Sequence, residues 1–251
     1  RLEQALAEDL LCPFHYFGIS DLWIDGKEIN LEEDTISFSN LSEGERVDKI
    51  IEKIRYFGHS GSRVKGLVFC SNKKEAKELS DAFNLRKFRT ISLTGDDSQA
   101  KREDAIARLT GTGAYQGFVD DQLDYIFTVD IFNEGVDIPE VNQVIMLRQT
   151  ESPIVFIQQL GRGLRKFEDK EYVVILDFIG NYSNSYMIPL ALSGDRSYNK
   201  DTLRKYVQSG NRIIPGTSTV HFDSIAKKRI FAAIDTANLS SAKLIKEAYL
   251  D

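Results

Sequence analysis

From Glu43 to Asp177 two kinds of hydrophobic pattern alternate along the chain. "EGERVDKIIEKIRYFG" carries apolar residues at helical spacing and stops near Gly58, whereas "KGLVFC" is the short continuous apolar run of a buried strand. A helix starting near Asn72 follows, then a strand in "FRTISL", a helix around 98–109 and strands in "DYIFTV" and "QVIML". A helical run in "SPIVFIQQLGRGLRK" and a strand in "YVVILDF" complete the series. Short apolar strands separated by helices predict a parallel sheet covered on both faces, a doubly wound α/β fold. Residues 110–122, "TGTGAYQGFVDDQ", have turn chemistry and low hydrophobicity and read as a flexible connection.

The flanks differ from this core. Ahead of it come a helix at 2–10 and the aromatic-rich, strand-like "CPFHYFGISDLWIDG". "CPFH" resembles half a metal site, yet no second ligand pair stands at suitable spacing, which leaves aromatic packing as its role. After Gly180 the pattern lacks buried strands and offers several short helices between glycine-marked turns. The chain therefore divides into a connection at 1–45, an α/β core at 46–178 and a mainly helical extension at 179–251.

With 251 residues of which 42% are hydrophobic, this is the composition of an ordinary globular protein. No apolar run reaches the roughly 18 residues of a membrane span, and no secretory signal is visible. Cys12 and Cys70 lie far apart, which fits a reduced, cytoplasmic chain. The start at Arg1 reads as an excised piece. A net charge of −6 argues against a broadly basic nucleic-acid surface. It leaves room for a narrow one, because backbone N–H groups and helix N-termini hold phosphate without adding formal charge.

In an open parallel sheet ligands gather where strands end and loops enter helices. The unusual polar residues stand at such ends: Ser71 and Asn72 after "LVFC", Thr94 and Gly95 after "ISL", and Thr128, Asp130, Asn133, Glu134, Gly135 and Asp137 after "DYIF". Helix capping and turn formation compete with ligand binding at each. Within 152–166, Ser152 is a good N-cap and Pro153 suits the first helical position. At about 100° per residue Gln158, Arg162 and Arg165 fall within roughly 60° of one another, with Ile157, Leu160 and Leu164 on another face. Gly161 and Gly163 each cost about 1 kcal/mol in a helix interior, so their presence suggests close approach of another group to the backbone.

"QQLGRGLR" matches the arginine-finger motif Gln-x-x-Gly-Arg-x-x-Arg at Gln158, Gly161, Arg162 and Arg165, and "TVDIFNEGVDIPEVN" matches the motif that precedes it. "GLVFCSNKKEAKELSDAF" and "LTGDD" fill the places of two earlier motifs. On these residues, across 46–178, the chain resembles the second, C-terminal RecA-like lobe of a superfamily 2 DEAD/DEAH-box helicase of the restriction-translocase kind. The tail, with "GNRIIPG" and "HFDSIAKKRIF", resembles bacterial members with an uncharacterised C-terminal region.

The resemblance implies an ATP-dependent motor acting on nucleic acid, with DNA preferred over RNA because the two late motifs look closer to restriction-type and repair translocases. Arg162 and Arg165 would then be fingers to the γ-phosphate, and Gln158 would link their helix to nucleotide or attacking water. Gly135 and Asp137, with Glu134 on the same loop and Gly161 between the lobes, would lie against ATP. Ser71, Thr94, Gly95 and Thr128 would hold the backbone of a nucleic-acid strand. No Gly-x-x-x-x-Gly-Lys-Ser/Thr loop and no Asp-Glu-Ala-x box occurs, and the single Gly-Lys pair, Gly26-Lys27, is followed by Glu28. The phosphate cradle and the magnesium ligands are therefore expected in a first lobe outside this sequence, and this piece alone is expected to be inactive. His15, His59 and His221 show no metal or triad spacing. A non-catalytic binding module is the alternative from another class, and an RNA helicase lobe the alternative within the same one. A small-molecule enzyme is disfavoured, since neither a dinucleotide glycine fingerprint nor a nucleophile–base pair is visible.

Overall fold

The structure, a computed structural model, describes residues 8, 10–19, 23–24, 27–28, 43–129, 138–148, 164–178, 186–193, 199–209, 218–222 and 224–237. Along the chain come β1 (Phe14–Ile19), the short β2 (Trp23–Ile24) and β3 (Lys27–Glu28), α1 (Glu43–Phe57), β4 (Gly66–Phe69), α2 (Lys73–Leu85) and β5 (Thr90–Leu93). There follow α3 (Gln99–Thr110), β6 (Tyr125–Thr128), β7 (Gln143–Met146), β8 (Val173–Phe178), α4 (Met187–Ser193), α5 (Lys200–Ser209), β9 (Thr219–Phe222) and α6 (Ser224–Thr236).

Seven strands form one sheet in the order β5-β6-β4-β7-β8-β1-β9, and every pairing described within it is parallel. The interior strands β4, β6, β7 and β8 are buried at every position, as their continuous apolar runs require. The edge strands β5 and β9 are only partly buried. Side chains alternate between two layers. Leu67 and Phe69 of β4 pack with Ala105 and Leu109 of α3 and with Leu203 of α5 and Ile230 of α6. Val68 and Cys70 face the other way, toward Ile50 and Ile54 of α1 and Leu79 and Phe83 of α2. Gly66 opens β4 because a Cβ there would lie 2.2 Å from the Tyr125 ring.

Hydrogen bonds between distant segments hold the strand starts in place. The Asn142 side chain accepts from Lys65 N–H at 2.8 Å and donates to Ser60 O at 2.7 Å and Arg63 O at 2.8 Å. Its backbone N–H donates to Lys65 O at 3.1 Å, and its carbonyl accepts from Val174 N–H at 3.0 Å. Beside it, Gln143 donates to Gly58 O and accepts from the Tyr125 hydroxyl, each at 2.7 Å.

One expectation needs correction. The C-terminal region does contain a strand: β9 pairs with β1 and buries Val220 and Phe222. Its alternation is four residues long, with Thr219 and His221 at the outward positions, so only two apolar residues mark it. Residues 110–122, expected to be a connection with turn chemistry, hold two short 3-10 turns, and arginines bind carbonyls within and on either side of the segment. Arg63 donates to the carbonyls of Leu109 and Leu123, Arg89 to that of Val119, and Arg108 to that of Asp121. Such long-range bonds leave no trace in local composition. The sheet also extends beyond 46–178, taking β1 from the N-terminal stretch and β9 from the C-terminal one.

One buried polar pair lies inside this sheet. The Tyr16 hydroxyl of β1 donates to Asp177 Oδ2 of β8 at 2.6 Å, and both side chains are buried. Burial pushes the Asp177 carboxyl up to about 7, against the opposing pull of the Tyr16 hydrogen bond. A folded pKa raised above the unfolded value means that the folded state holds the extra proton, so this contribution is complete below about pH 4 and is lost as pH rises through 7. Asp177→Asn keeps an acceptor for Tyr16 without a charge. Relative to the parent, it should gain stability on the order of a few kcal/mol between pH 5 and pH 8.5, measured by urea unfolding at each pH. An unchanged difference across that range would mean that Asp177 is already ionised in the folded protein at pH 5, with no raised pKa.

Candidate functional site

Parallel pairing lines up the strand ends. Leu93, Thr128, Phe69, Met146, Asp177, Gly18 and Phe222 stand opposite one another in a single row across the sheet. The loops that leave β4, β5 and β6 therefore emerge side by side at one edge, and Ser71, Thr94 and Thr128 come together there.

After β4 the chain turns into α2 through a dense set of caps. Asn72 is the N-cap, its side chain accepting from Glu75 N–H at 2.9 Å. Glu75 reaches back to accept from Ser71 N–H at 2.6 Å and pairs with Arg46 of α1. The first bond satisfies the Glu75 N–H, one of those a helix start leaves without a partner, and the second satisfies the Ser71 N–H just ahead of the cap. Ser71 itself is exposed, and its hydroxyl lies 3.5 Å from Leu147 O.

After β5 the turn is built around Asp97. Its carboxylate accepts from Thr94 N–H at 2.7 Å, from the Thr94 hydroxyl at 3.3 Å and from Lys101 Nζ at 2.5 Å. The Lys101 hydrogen bond chiefly holds the Asp97 carboxyl below its ordinary range. Ser98 then caps α3. Arg102 reaches back from α3 to the carbonyls of Gly95, at 2.8 Å, and Thr94, at 3.4 Å. Its Nε is buried with no hydrogen-bond partner among the described residues. Gly95 is exposed, lies outside the left-handed backbone region, and would meet nothing within 4 Å if it carried a Cβ. Neither the backbone nor the packing of the described residues requires a glycine there.

Between these two loops stands the end of β6. Thr128 is fully buried, and its hydroxyl has no partner among the described residues, although its carbonyl accepts from Cys70 N–H at 2.9 Å. An ion pair between Lys73 of α2 and Asp96 links the flanking loops. The N-termini of α2 and α3 thus open at the same edge, with Lys73, Lys74, Lys101 and Arg102 around them.

Arg165 is elsewhere. It is exposed and follows the buried Leu164, whose carbonyl accepts from Cys12 N–H at 2.6 Å, just ahead of the amino end of β1. It therefore belongs to the side of the sheet opposite Ser71, Thr94 and Thr128. Gln158, Gly161, Arg162, Glu134, Gly135 and Asp137 lie outside the described residues.

Sequence reasoning missed the residues that shape these loops. Glu75 had a signal, since Asn72 and Glu75 stand at the spacing of a capping box. Asp97 and Arg102 had none beyond their charge. Among the described residues no cluster of three or more histidine, cysteine or acidic side chains could hold a metal ion. Nor is any helix among them long and apolar enough to cross a membrane.

A Saccharomyces cerevisiae protein named as an ATP-dependent helicase, IRC3, is 28% identical over 160 residues, which cover 63% of this chain and 22% of that protein. A Dictyostelium discoideum protein named as an ATP-dependent RNA helicase, ddx41, is 32% identical over 103 residues, or 40% of this chain and 14% of that protein. The chain thus spans less than a quarter of the length of either relative. Among solved structures, the ATP-dependent Type ISP restriction-modification enzyme LlaBIII bound to DNA superposes with a TM-score of 0.54 at 17% identity, covering 93% of this chain and 17% of that one. Residues 45–167 match the family described as the helicase conserved C-terminal domain, and the α/β core of this chain has a RecA-like fold.

Proposed function

We propose that the chain is the C-terminal motor lobe of an ATP-dependent DNA helicase or translocase, working on ATP bound by a first lobe of the same full-length protein. Magnesium would be held by that first lobe. Phosphoryl transfer asks a protein mainly to position groups and to stabilise charge spreading over the γ-phosphate oxygens. Arg162 and Arg165 supply planar, permanently charged guanidinium groups for that purpose. The Gly135–Asp137 loop, with Glu134, lies against nucleotide, and Gln158 and Gly161 support the finger segment. The opposite edge grips one strand of nucleic acid through Ser71, Thr94, Gly95 and Thr128.

The observation that carries this reading is Gly95, an exposed glycine without an internal reason, set between two helix N-termini and a cluster of basic side chains. A phosphate backbone is the kind of partner that needs such close approach to main chain. The separation of Arg165 from this edge suits a protein that handles nucleotide and strand at different places. DNA is preferred on the character of the two late motifs. RNA is the second reading, favoured by the relative named as an RNA helicase. A cytoplasmic location belongs to the same proposal.

The deciding experiment is ATP hydrolysis by the full-length protein with single-stranded DNA, double-stranded DNA, RNA or no nucleic acid. Stimulation by DNA supports the proposal, stimulation by RNA alone selects the second reading, and no hydrolysis under any condition leaves a binding module. Residues 1–251 by themselves should not turn over ATP.

Two substitutions in the full-length protein probe the two places separately. Arg162→Lys or Arg165→Lys should slow turnover severely, by up to about 10³–10⁵-fold, with thermal unfolding unchanged for Arg165→Lys because that side chain is exposed. Gly95→Ala should leave thermal stability the same or slightly higher, since its Cβ has open space. Affinity for nucleic acid should nevertheless fall several-fold whatever its sequence, as measured by fluorescence anisotropy on two unrelated oligonucleotides. Full affinity in Gly95→Ala would remove this loop from the interface.

A further inference from the structure

The amino side of the sheet holds a buried cation that none of the motifs includes. Lys170 is 8% exposed, in a turn where its N–H donates to Phe167 O at 3.1 Å. Its Nζ donates to the carbonyls of Pro139 and of Val141, the latter at 3.2 Å. A buried ammonium persists only where carbonyl oxygens replace its water, so these contacts are demanding in geometry. The segments they join are far apart in sequence. Pro139 and Val141 lie just past Asp137, at the end of the candidate nucleotide loop, and Lys170 lies five residues beyond Arg165. Cys12 fastens the same turn from a third direction, its N–H donating to Leu164 O at 2.6 Å and its Sγ lying 4.0 Å from Lys170 O.

We infer that Lys170 is a positioning residue that locks the Arg165 segment to the end of the Asp137 loop, so that the arginine and the loop meet nucleotide as one body. The inference rests on the proposed function and adds to it a coupling between its two nucleotide-facing parts. A lysine suits the task because its flexible stem and several donors let one ammonium serve two carbonyls.

The test compares Lys170→Met, which keeps an unbranched apolar stem without donors, with Lys170→Arg, which keeps the charge, both in the full-length protein. Hydrogen exchange is followed at 138–142 and 164–168, with 71–75 and 94–98 as reference segments. ATP KM, kcat and nucleic-acid affinity are measured alongside. Lys170→Met should raise exchange in both amino-side segments together, leave the reference segments and nucleic-acid affinity unchanged, and raise KM for ATP about tenfold, the scale of one lost charged hydrogen bond. Lys170→Arg should restore part of both effects. Faster exchange throughout the lobe, or in only one of the two segments, would make Lys170 a plain structural lysine and overturn the inference. Joint loosening with unaltered KM in an active parent would overturn it as well. A parent that hydrolyses no ATP sinks the proposed function instead, while the exchange comparison still shows whether the two segments are joined.

Discussion

Neighbouring strands of a parallel sheet are never joined by a tight turn, so their alignment depends on hydrogen bonds between segments that meet only in the folded state. Here Asn142 concentrates that task, joining the turn before β4 to β7 and β8 with every donor and acceptor of its side-chain amide engaged. A slip of one residue would send the inward side chains of a strand to the other layer and displace its end from the shared row. The site is downstream of that constraint. Ser71, Thr94 and Thr128 are neighbours because β4, β5 and β6 end level with one another, and no contact among the three is needed to explain it.

Charge is arranged locally rather than globally. The protein is acidic overall, yet the strand-end loops carry lysines and arginines, each set against an acid or a carbonyl: Lys73 with Asp96, Lys101 with Asp97, Arg102 with Gly95 O. Exposed pairs of this kind stabilise little. Their effect is to keep the loops shaped and the cations close by. The net charge alone conceals this arrangement.

Much of the core was legible because buried strands in a doubly wound sheet are continuous apolar runs, and β4, β6, β7 and β8 are all of that kind. Asn72 was legible as a cap for the same local reason. Pairing over long distances was not: nothing around Phe14 announces β8 and β9 as its neighbours, and β9 itself shows only Val220 and Phe222 as apolar signals. The grouping of Ser71 with Thr94 followed from the rule that ligands collect at strand ends. The placement of Arg165 on the other side did not, since sequence spacing says which residues would share a helix face and not where in the fold they lie; Leu164 and Arg165 are themselves outside any helix. Asp97 and Arg102 act through bonds within their own turn, and Lys170 through bonds to the distant carbonyls of Pro139 and Val141, and neither kind leaves a periodic trace.

The position of β1 has a consequence for how the chain is made. It lies between β8 and β9, and its contacts are 161 residues away at Asp177 and 204 away at Thr219. At roughly 5–20 residues per second of synthesis, β1 waits on the order of 10–40 s before either neighbour exists. During that interval Phe14, Tyr16 and Phe17 form a strand with both edges bare, the kind of segment that pairs with other chains. β1 therefore needs shelter while this lobe is being made, and it gains its partners only after most of the described strands have been synthesised.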